Sequence, residues 1–189
     1  MTQSTDITQQ LPLAWPSYIA GEPVQTDDTL EVRYPWDGTL TGTLPRITPG
    51  QLEQAIQAAL GQAQPPTRSE RYEILMLARE LLAGRADEFA NLIRLYAGLC
   101  MRETRYEVGR AQEVFKFAAA EALRDDESIF SCDAAKNGPA RKIFTMREPL
   151  SLVAAITPFN HPLNQVAHKL APAIAAGVLR QIAAALSGK

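Results

Sequence analysis

Asn160 lies in a turn that could place a hydrogen-bond donor beside a reacting carbonyl group. It stands between Pro158 and Pro162, and the two prolines stiffen the turn and limit its conformations. The carboxamide NH2 group can then donate from a fixed position to an oxygen that becomes negatively charged while the carbonyl carbon is attacked. The alternative interpretation is that Asn160 caps the helix that follows, because Asn is a favoured N-cap residue.

The segments on either side of this turn predict the strand and the helix that would hold Asn160 in place. Residues 150–156 are almost wholly apolar after Ser151, which indicates a strand buried on both faces, as a central parallel strand is. After the turn, apolar residues recur at helical spacing through Ile174, and Pro172 is expected to kink that helix. In such a strand-turn-helix unit, ligands bind beyond the carboxyl end of the strand, where free backbone N–H groups of the helix favour negative charge.

Upstream of this unit, the sequence predicts a β-meander followed by a block of helices. Strands are expected at residues 18–20, 30–34 and 40–44, separated by turn sequences that contain Gly21 and Gly38. The helix signals are capping boxes at Thr48 with Gln51 and at Thr67 with Glu70, and a terminating Gly98.

The composition excludes several classes of protein. The 189 residues carry a net charge of -2, and Lys and Arg are interspersed with Asp and Glu, so neither nucleic acid nor a membrane is an expected partner. The polar N-terminus has no signal-peptide pattern, and no apolar run is long enough to span a bilayer. Cys100 and Cys132 are too few for a disulfide framework, which predicts a reduced, cytoplasmic setting. His161 and His168 have no suitably spaced partner ligands, so no metal site is expected.

Three motifs resemble the aldehyde dehydrogenase superfamily, in the order in which that family has them. They are Arg-Glu-Pro-Leu at 147–150, Ile-Thr-Pro-Phe-Asn-His-Pro-Leu at 156–163 and Ala-Pro-Ala-Ile-Ala-Ala-Gly at 171–177. The resemblance extends from Tyr18 to Gly177. It implies an α/β fold that is the N-terminal part of an aldehyde dehydrogenase fold, with a β-meander, a helical block and the start of a Rossmann-like parallel sheet, but incomplete.

The resemblance also implies roles for the residues of the turn. The Asn that matches Asn160 is catalytic in that family, where it donates a hydrogen bond to the thiohemiacetal oxyanion. The backbone of Ile156, Thr157, Pro158 and Phe159 matches the cofactor-binding segment that lines the nicotinamide cleft, so the cofactor is expected to be NAD or NADP. The implied reaction is the oxidation of a small-molecule aldehyde to a carboxylate.

Two residues bear on the choice of substrate. Arg110 ends the sequence Glu-Val-Gly-Arg, which resembles a pattern of family members that act on phosphorylated or anionic aldehydes, and a guanidinium fork suits phosphonate, phosphate or carboxylate. His161 stands where the family often has Phe, and its imidazole suggests a polar or anionic substrate. Residues 101–108 and 141–144 are similar to the phosphonoacetaldehyde dehydrogenase branch. Alternatively, Arg110 is a solvated helix charge and His161 simply packs against the turn.

The chain departs from the family pattern after Gly177. The family's nucleophilic Cys and general-base Glu belong to motifs that are expected beyond this point and do not occur here, and neither Cys100 nor Cys132 matches the nucleophile. The apolar residues of 178–189 have helical spacing, so this tail is predicted to be a helix outside the family pattern rather than the next strand. We therefore expect a frameshift or truncation near Gly177, an unpaired strand edge at residues 150–156, an incomplete cofactor site and an inactive chain.

The expected organisation has four parts. Residues 1–10 are a disordered arm, residues 11–149 contain the meander, the helices and oligomerisation-type strands, residues 150–177 begin the cofactor-binding domain, and residues 178–189 are the tail. The strand patterns around Ile129 and Arg141 resemble the family's oligomerisation segment, which implies a homo-oligomer or association with a full-length homologue. The alternative to an oxidoreductase is a non-catalytic truncated pseudoenzyme or an interaction module that associates with such a relative.

Overall fold

Five helices and eight short strands make up the part of the chain that the computed structural model describes, which comprises residues 14–61, 65–178 and 181–185. The predicted arm at residues 1–10 lies outside the described residues. The α/β class is confirmed. The strands are β1 (Ser17–Ile19), β2 (Glu22–Val24), β3 (Thr29–Arg33), β4 (Leu40–Pro45), β5 (Ser128–Ser131), β6 (Lys142–Thr145), β7 (Val153–Thr157) and β8 (Gln181–Ala185). The helices are α1 (Pro49–Leu60), α2 (Arg68–Gly84), α3 (Ala86–Ala97), α4 (Met101–Ala122) and α5 (Pro162–Ala175).

The predicted meander strands are present, but they form two separate hairpins rather than one sheet. β1 pairs with β2 and β3 pairs with β4, each in antiparallel register. The first hairpin turns at Ala20 and Gly21, whose φ angles are 54° and 87°, and two positive φ angles are what a tight turn between twisted strands requires. A continuous meander is therefore the wrong prediction for this region.

Both predicted capping boxes are confirmed at the starts of α1 and α2. The Thr48 backbone N–H donates to the Gln51 side chain at 2.8 Å, and the Thr67 backbone N–H donates to the Glu70 carboxylate at 2.7 Å. The hydrogen bonds from Thr67 hold the pKa of the Glu70 carboxyl below its usual value. These starts are set by residues three apart in the sequence, which is why a local pattern predicts them.

The core lies where α2, α4 and α5 meet. Leu75 of α2 is 0% exposed and is surrounded by small side chains of the two other helices. Because alanine side chains are small, the three helices pack closely, and the single large side chain of Leu75 fills the space that remains between them. The buried alanines around Leu75 are Ala118, Ala119, Ala122, Ala171 and Ala175.

α4 and α5 lie side by side with the same polarity. Near their first contacts, Val108 and Ala111 share a buried cluster with Ala167, and further along Ala118 shares one with Ala171. The early residues of α4 are therefore level with the first turns of α5. This register brings the first turns of α4, including Glu107, to the start of α5, next to the turn that carries Asn160.

A Schellman motif ends α5 and fixes the chain beyond it. Gly177 has a φ of 87°, its N–H donates to the Ile174 carbonyl at 2.9 Å, and the Val178 N–H donates to the Ala173 carbonyl at 2.9 Å. Arg71 of α2 reaches across to donate to the Ala175 carbonyl at 2.9 Å. Burial lowers the pKa of this guanidinium, and repulsion from Arg68 adds to the effect, yet an Arg remains charged.

Gly177→Ala is expected to destabilise the chain by about 1 to 2 kcal/mol through its left-handed backbone alone. A Cβ at this position would also lie 2.5 Å from the Arg71 guanidinium, which would have to leave the end of α5. Urea unfolding followed by far-ultraviolet circular dichroism measures the loss. The control is Gly109→Ala in α4, where nothing lies within 4 Å of the added Cβ and where Ala should stabilise the helix by about 0.5 to 1 kcal/mol. Equal effects of the two substitutions would contradict the prediction.

The strand before the turn is paired along one side, and the structure corrects several predictions for the C-terminal region. β8 pairs with β7 in parallel register, so Gln181–Ala185 are a strand and the helical prediction for this part of 178–189 is wrong. The expected unpaired edge at residues 150–156 is corrected on the side that faces β8; the sheet has two strands, so within the described residues the other side of β7 has no strand partner. β7 is also not buried on both faces, because Ala155 and Thr157 are buried while Ala154 and Ile156 are exposed. Pairing with a neighbouring strand has overridden the helix propensity of the alanines.

The hairpin of β5 and β6 is open to solvent along its whole length. Every residue of β5 and β6 is exposed, including the apolar side chains of Ile129, Phe130, Ile143 and Phe144. None of the helices formed by the described residues is long and apolar enough to cross a membrane. Within the same residues, no group of three or more His, Cys, Asp or Glu side chains is arranged to hold a metal ion.

Candidate functional site

The turn between β7 and α5 holds Asn160 in an exposed position. β7 ends at Thr157, and α5 begins at Pro162 with His161 as its N-cap residue. His161 makes no side-chain capping hydrogen bond, and Asn160 is not the cap. The alternative interpretation of Asn160 as a helix cap is therefore wrong. Its side chain is exposed beside the carboxyl end of β7, where α/β folds bind their ligands.

A carboxylate from α4 caps the N-terminus of α5 instead. The Glu107 side chain accepts hydrogen bonds from the backbone N–H groups of Leu163 at 2.9 Å and of Asn164 at 3.0 Å, both at Oε1. Glu107 is 1% exposed. The N–H groups that the sequence predicted to be free for an anionic ligand are therefore occupied by the protein's own carboxylate, and this prediction is corrected.

Glu107 belongs to the site although no motif in the sequence points to it as a site residue; its position on α4 nevertheless carries a signal. The buried residues in this part of α4 are Thr104, Glu107, Val108 and Ala111, which is the spacing of one helix face. A charged residue on a buried helical face requires a partner, because burying an unpaired carboxylate is costly. The partner is a pair of backbone N–H groups, which no side-chain pattern could identify.

Arg110 and His161 are both exposed and have no described contact with each other or with Asn160. The Arg110 guanidinium is 3.4 Å from the hydroxyl oxygen of Tyr106, one turn earlier on α4. The register of α4 against α5 places Arg110 near the level of the first turn of α5, on a solvent-facing side. The structure therefore leaves both side chains on the surface and does not bring them into one preformed cluster.

The predicted cofactor-binding segment is mostly open to solvent. Ile156 is 56% exposed and Phe159 is 60% exposed, and Pro158 between them is exposed as well. Thr157 differs, because only 4% of it is accessible and it faces the interior. The result is a patch of apolar surface directly beside the Asn160 carboxamide.

A cavity of about 850 Å³ lies at the other end of β7. It is lined by residues from the amino end of the strand, such as Leu150 and Val153, and by Arg68 and Arg71 of α2. Arg68 is ion-paired with Asp125, and Arg71 donates to the end of α5. No residue of the 158–161 turn lines this cavity, so we place the candidate site at the turn, where the chemistry-bearing side chain is.

Residues 23–179 match the family model described as "Aldehyde dehydrogenase family". The chain belongs to this family. The N-terminal part of an aldehyde dehydrogenase fold, predicted from the motifs around the turn, is confirmed by solved structures. A succinate-semialdehyde dehydrogenase from Burkholderia pseudomallei superimposes with a TM-score of 0.81 at 28% identity, covering 90% of this chain and 35% of that one.

Two further relatives extend the comparison. The 3-sulfolactaldehyde dehydrogenase of Priestia aryabhattai is 36% identical over 179 residues, which cover 94% of this chain and 36% of the relative. An NADP-dependent glyceraldehyde-3-phosphate dehydrogenase from Bacillus halodurans, solved with NADP, has a TM-score of 0.76 at 27% identity over 88% of this chain and 36% of that one. The chain thus spans about a third of the length of the relatives that it matches.

The two cysteines of the chain lie away from the turn in sequence. Cys100 is the exposed N-cap residue of α4, and Cys132 follows β5 as a partly exposed free thiol. Both lie outside the 156–163 motif that carries Asn160. The turn therefore presents a hydrogen-bond donor, while neither thiol of this chain belongs to the same element.

Proposed function

We propose that this segment supplies the oxyanion donor and part of the nicotinamide cleft for the NAD- or NADP-dependent oxidation of an aldehyde to a carboxylate. The observation that carries the proposal is the placement of Asn160. Its carboxamide is exposed on a short turn between a paired parallel strand and a helix whose first N–H groups are held by Glu107. A donor fixed in this way can stabilise the charge that develops on a carbonyl oxygen.

The apolar patch beside Asn160 fits a nicotinamide ring. The side chains of Ile156 and Phe159, and Pro158 between them in sequence, offer exposed apolar surface at the carboxyl end of β7. The buried Thr157 would contribute through its backbone. The capped start of α5 has two fewer N–H groups to offer a pyrophosphate, so the residues described here suit the nicotinamide half of the cofactor better than its phosphates. The cofactor, when bound, would accept the hydride.

An anionic aldehyde is the substrate class that we propose. The names of three similar proteins specify 3-sulfolactaldehyde, succinate semialdehyde and glyceraldehyde 3-phosphate, and each of these compounds carries an anionic group. Arg110 has an exposed guanidinium near the level of the first helical turn of α5, and His161 adjoins Asn160 in sequence. Phosphonoacetaldehyde belongs to the same chemical class and is one member of the panel to be assayed.

The thiolate nucleophile and the general base are roles that we assign to residues other than those of this chain. Cys100 and Cys132 lie outside the turn motif, and the chain covers about a third of its relatives' length. We therefore propose that residues 1–189 alone do not turn over aldehydes. The exposed apolar hairpin of β5 and β6 supports association with a second copy or with a full-length homologue.

A chimeric enzyme tests the proposed function. Residues 23–179 would replace the matched segment of the Priestia aryabhattai 3-sulfolactaldehyde dehydrogenase, and absorbance of the reduced cofactor would be followed with NAD, NADP and a panel of aldehydes. We expect turnover by the chimera and none by the 189-residue chain. A chimera that folds and binds cofactor but oxidises no aldehyde would contradict the proposal.

Arg110→Ala in this chimera is expected to raise KM for anionic aldehydes about tenfold or more and to change kcat little, because a hydrogen bond to a charged group is lost in both the ground state and the transition state. A neutral aldehyde of similar size should be unaffected. Steady-state kinetics with both substrates provide the measurement. The control is Arg102→Ala, an exposed Arg on the same helix that pairs with Glu103. If the two variants behave alike, Arg110 is an ordinary solvated helix charge.

A further inference from the structure

We propose that Glu107 is a positioning residue that fixes the Asn160 turn by capping α5 from the neighbouring helix. The inference rests on the proposed function of Asn160 and deepens it. Glu107 does not touch the reacting atoms; it acts through the backbone of Leu163 and Asn164, three and four residues after Asn160.

The geometry leaves little freedom at the start of α5. One carboxylate oxygen accepts both backbone N–H groups, at 2.9 and 3.0 Å, and the next N–H, that of Gln165, donates to the His161 carbonyl at 3.0 Å. The first three helical N–H donors after Pro162 are therefore all engaged. At the other end of the turn, residues up to Thr157 are held in the ladder with β8. The turn that carries Asn160 is thus anchored on both sides.

The chemistry of Glu107 argues against a role in packing alone. An apolar residue would fill a buried face of α4 without a desolvation cost, whereas a carboxylate here is stable only because of the two donors and the positive end of the α5 dipole. Glu107 Oε2 and Asn164 Oδ1 are buried and make no hydrogen bond to protein groups in the described part of the chain. A buried polar atom without a hydrogen-bond partner in a native structure requires an explanation, and a role beyond packing is one such explanation.

The cap also determines how the turn can respond to a ligand. Because Glu107 occupies the N–H groups that would otherwise attract an anion, charge that develops near the turn meets the neutral Asn160 donor rather than the bare helix terminus. The cap is supplied from α4, so its presence depends on the packing of α4 against α5. Movement of one helix relative to the other would release the turn.

Amide hydrogen exchange on the 189-residue chain tests this role. The variants are Glu107→Gln, which keeps an acceptor oxygen, Glu107→Asp, which keeps the charge but has a shorter reach, and Glu107→Leu, which removes the acceptor. We expect Gln to retain protection at Leu163 and Asn164, and Asp and Leu to accelerate exchange there about 10- to 100-fold. The Asn160 side-chain NH2 resonances should shift in the same two variants. The control is Glu103→Leu, an exposed carboxylate on the same helix, which should change none of these signals.

Amides in α3, such as those of Ile93 and Leu95, separate a local effect from a global one. Local loss of protection at the start of α5, with α3 unchanged, supports the proposal. Two results in the Glu107→Asp and Glu107→Leu variants would overturn the proposal: faster exchange throughout the chain, including α3, or unchanged exchange at Leu163 and Asn164.

Kinetics of the chimera keep this proposal separate from the proposed function. We expect Glu107→Leu to lower kcat about tenfold or more while KM for the cofactor stays unchanged. The Glu107→Gln variant should keep a kcat close to that of the unsubstituted chimera. The effect should disappear in an Asn160→Ala background. If Asn160→Ala lowers kcat and Glu107→Leu does not, the positioning role of Glu107 is wrong while the proposed function stands. If neither substitution lowers kcat, the proposed function is wrong.

Discussion

Asn160→Ala in the chimeric enzyme is expected to lower kcat by about 100- to 1000-fold, which corresponds to about 3 to 4 kcal/mol of transition-state stabilisation. The carboxamide is exposed, and it is not the N-cap of α5, so its removal should leave the fold intact. KM for the aldehyde should change little, because the donor is used when negative charge develops on the carbonyl oxygen. Single-turnover kinetics of cofactor reduction separate this step from product release.

Asn137→Ala provides the matched control for this prediction. Asn137 is also an exposed Asn, but it lies in the loop between β5 and β6. We expect the control to keep full activity. An Asn160→Ala enzyme with nearly unchanged kcat would mean that another group stabilises the oxyanion, and the assignment of the site would be abandoned.

Leu75→Ala is expected to reduce the free energy of unfolding by about 3 to 5 kcal/mol. Leu75 is fully buried, and the buried members of its cluster on α4 and α5 are all alanines, whose side chains are too short to move into the vacated space; the larger Val114, Phe115 and Ile174 are only partly buried and pack against the outside of the cluster. The cavity should therefore persist, which puts the cost at the upper end of the range for such substitutions. Denaturant unfolding of the 189-residue chain, followed by circular dichroism, measures the change.

Leu77→Ala on the same helix is the control for packing. Leu77 is 56% exposed, so its truncation should cost less than about 1 kcal/mol. Similar costs for Leu75 and Leu77 would show that the three-helix core is not packed as described. The comparison cancels helix propensity, because both substitutions replace Leu by Ala within α2.

Local signals predicted the elements that position the site. The capping boxes at Thr48 and Thr67 set the starts of α1 and α2, and Gly98 ends α3 in a left-handed conformation with a φ of 71°. Each signal acts within one helical turn, so it can be recognised without knowledge of the neighbours. The strand, turn and helix around Asn160 are likewise predictable from short local patterns, namely an apolar run, two prolines and apolar residues at helical spacing.

Tertiary pairing decided what the local signals could not. Gln181–Ala185 have helix-forming residues but form a strand, because β7 offers a parallel edge. The acceptor at the start of α5 is Glu107, which is 56 residues from Leu163 in sequence. Asn164, beside it, is capped in the same way. No pattern within the 156–163 motif contains this partner, so the sequence suggested free N–H groups where the structure has a carboxylate.

A crystal structure of the chimera with a trapped aldehyde adduct would show whether Asn160 donates to the oxygen of the reacting carbonyl group. The adduct would be formed with the nucleophile in the part of the chimera that comes from the Priestia aryabhattai enzyme. The electron density would then show where the former carbonyl oxygen of the adduct lies relative to Asn160. We predict that the Asn160 Nδ2 atom lies about 2.7 to 3.1 Å from that oxygen. An adduct oxygen held by other donors, with the Asn160 carboxamide directed into solvent, would contradict the account.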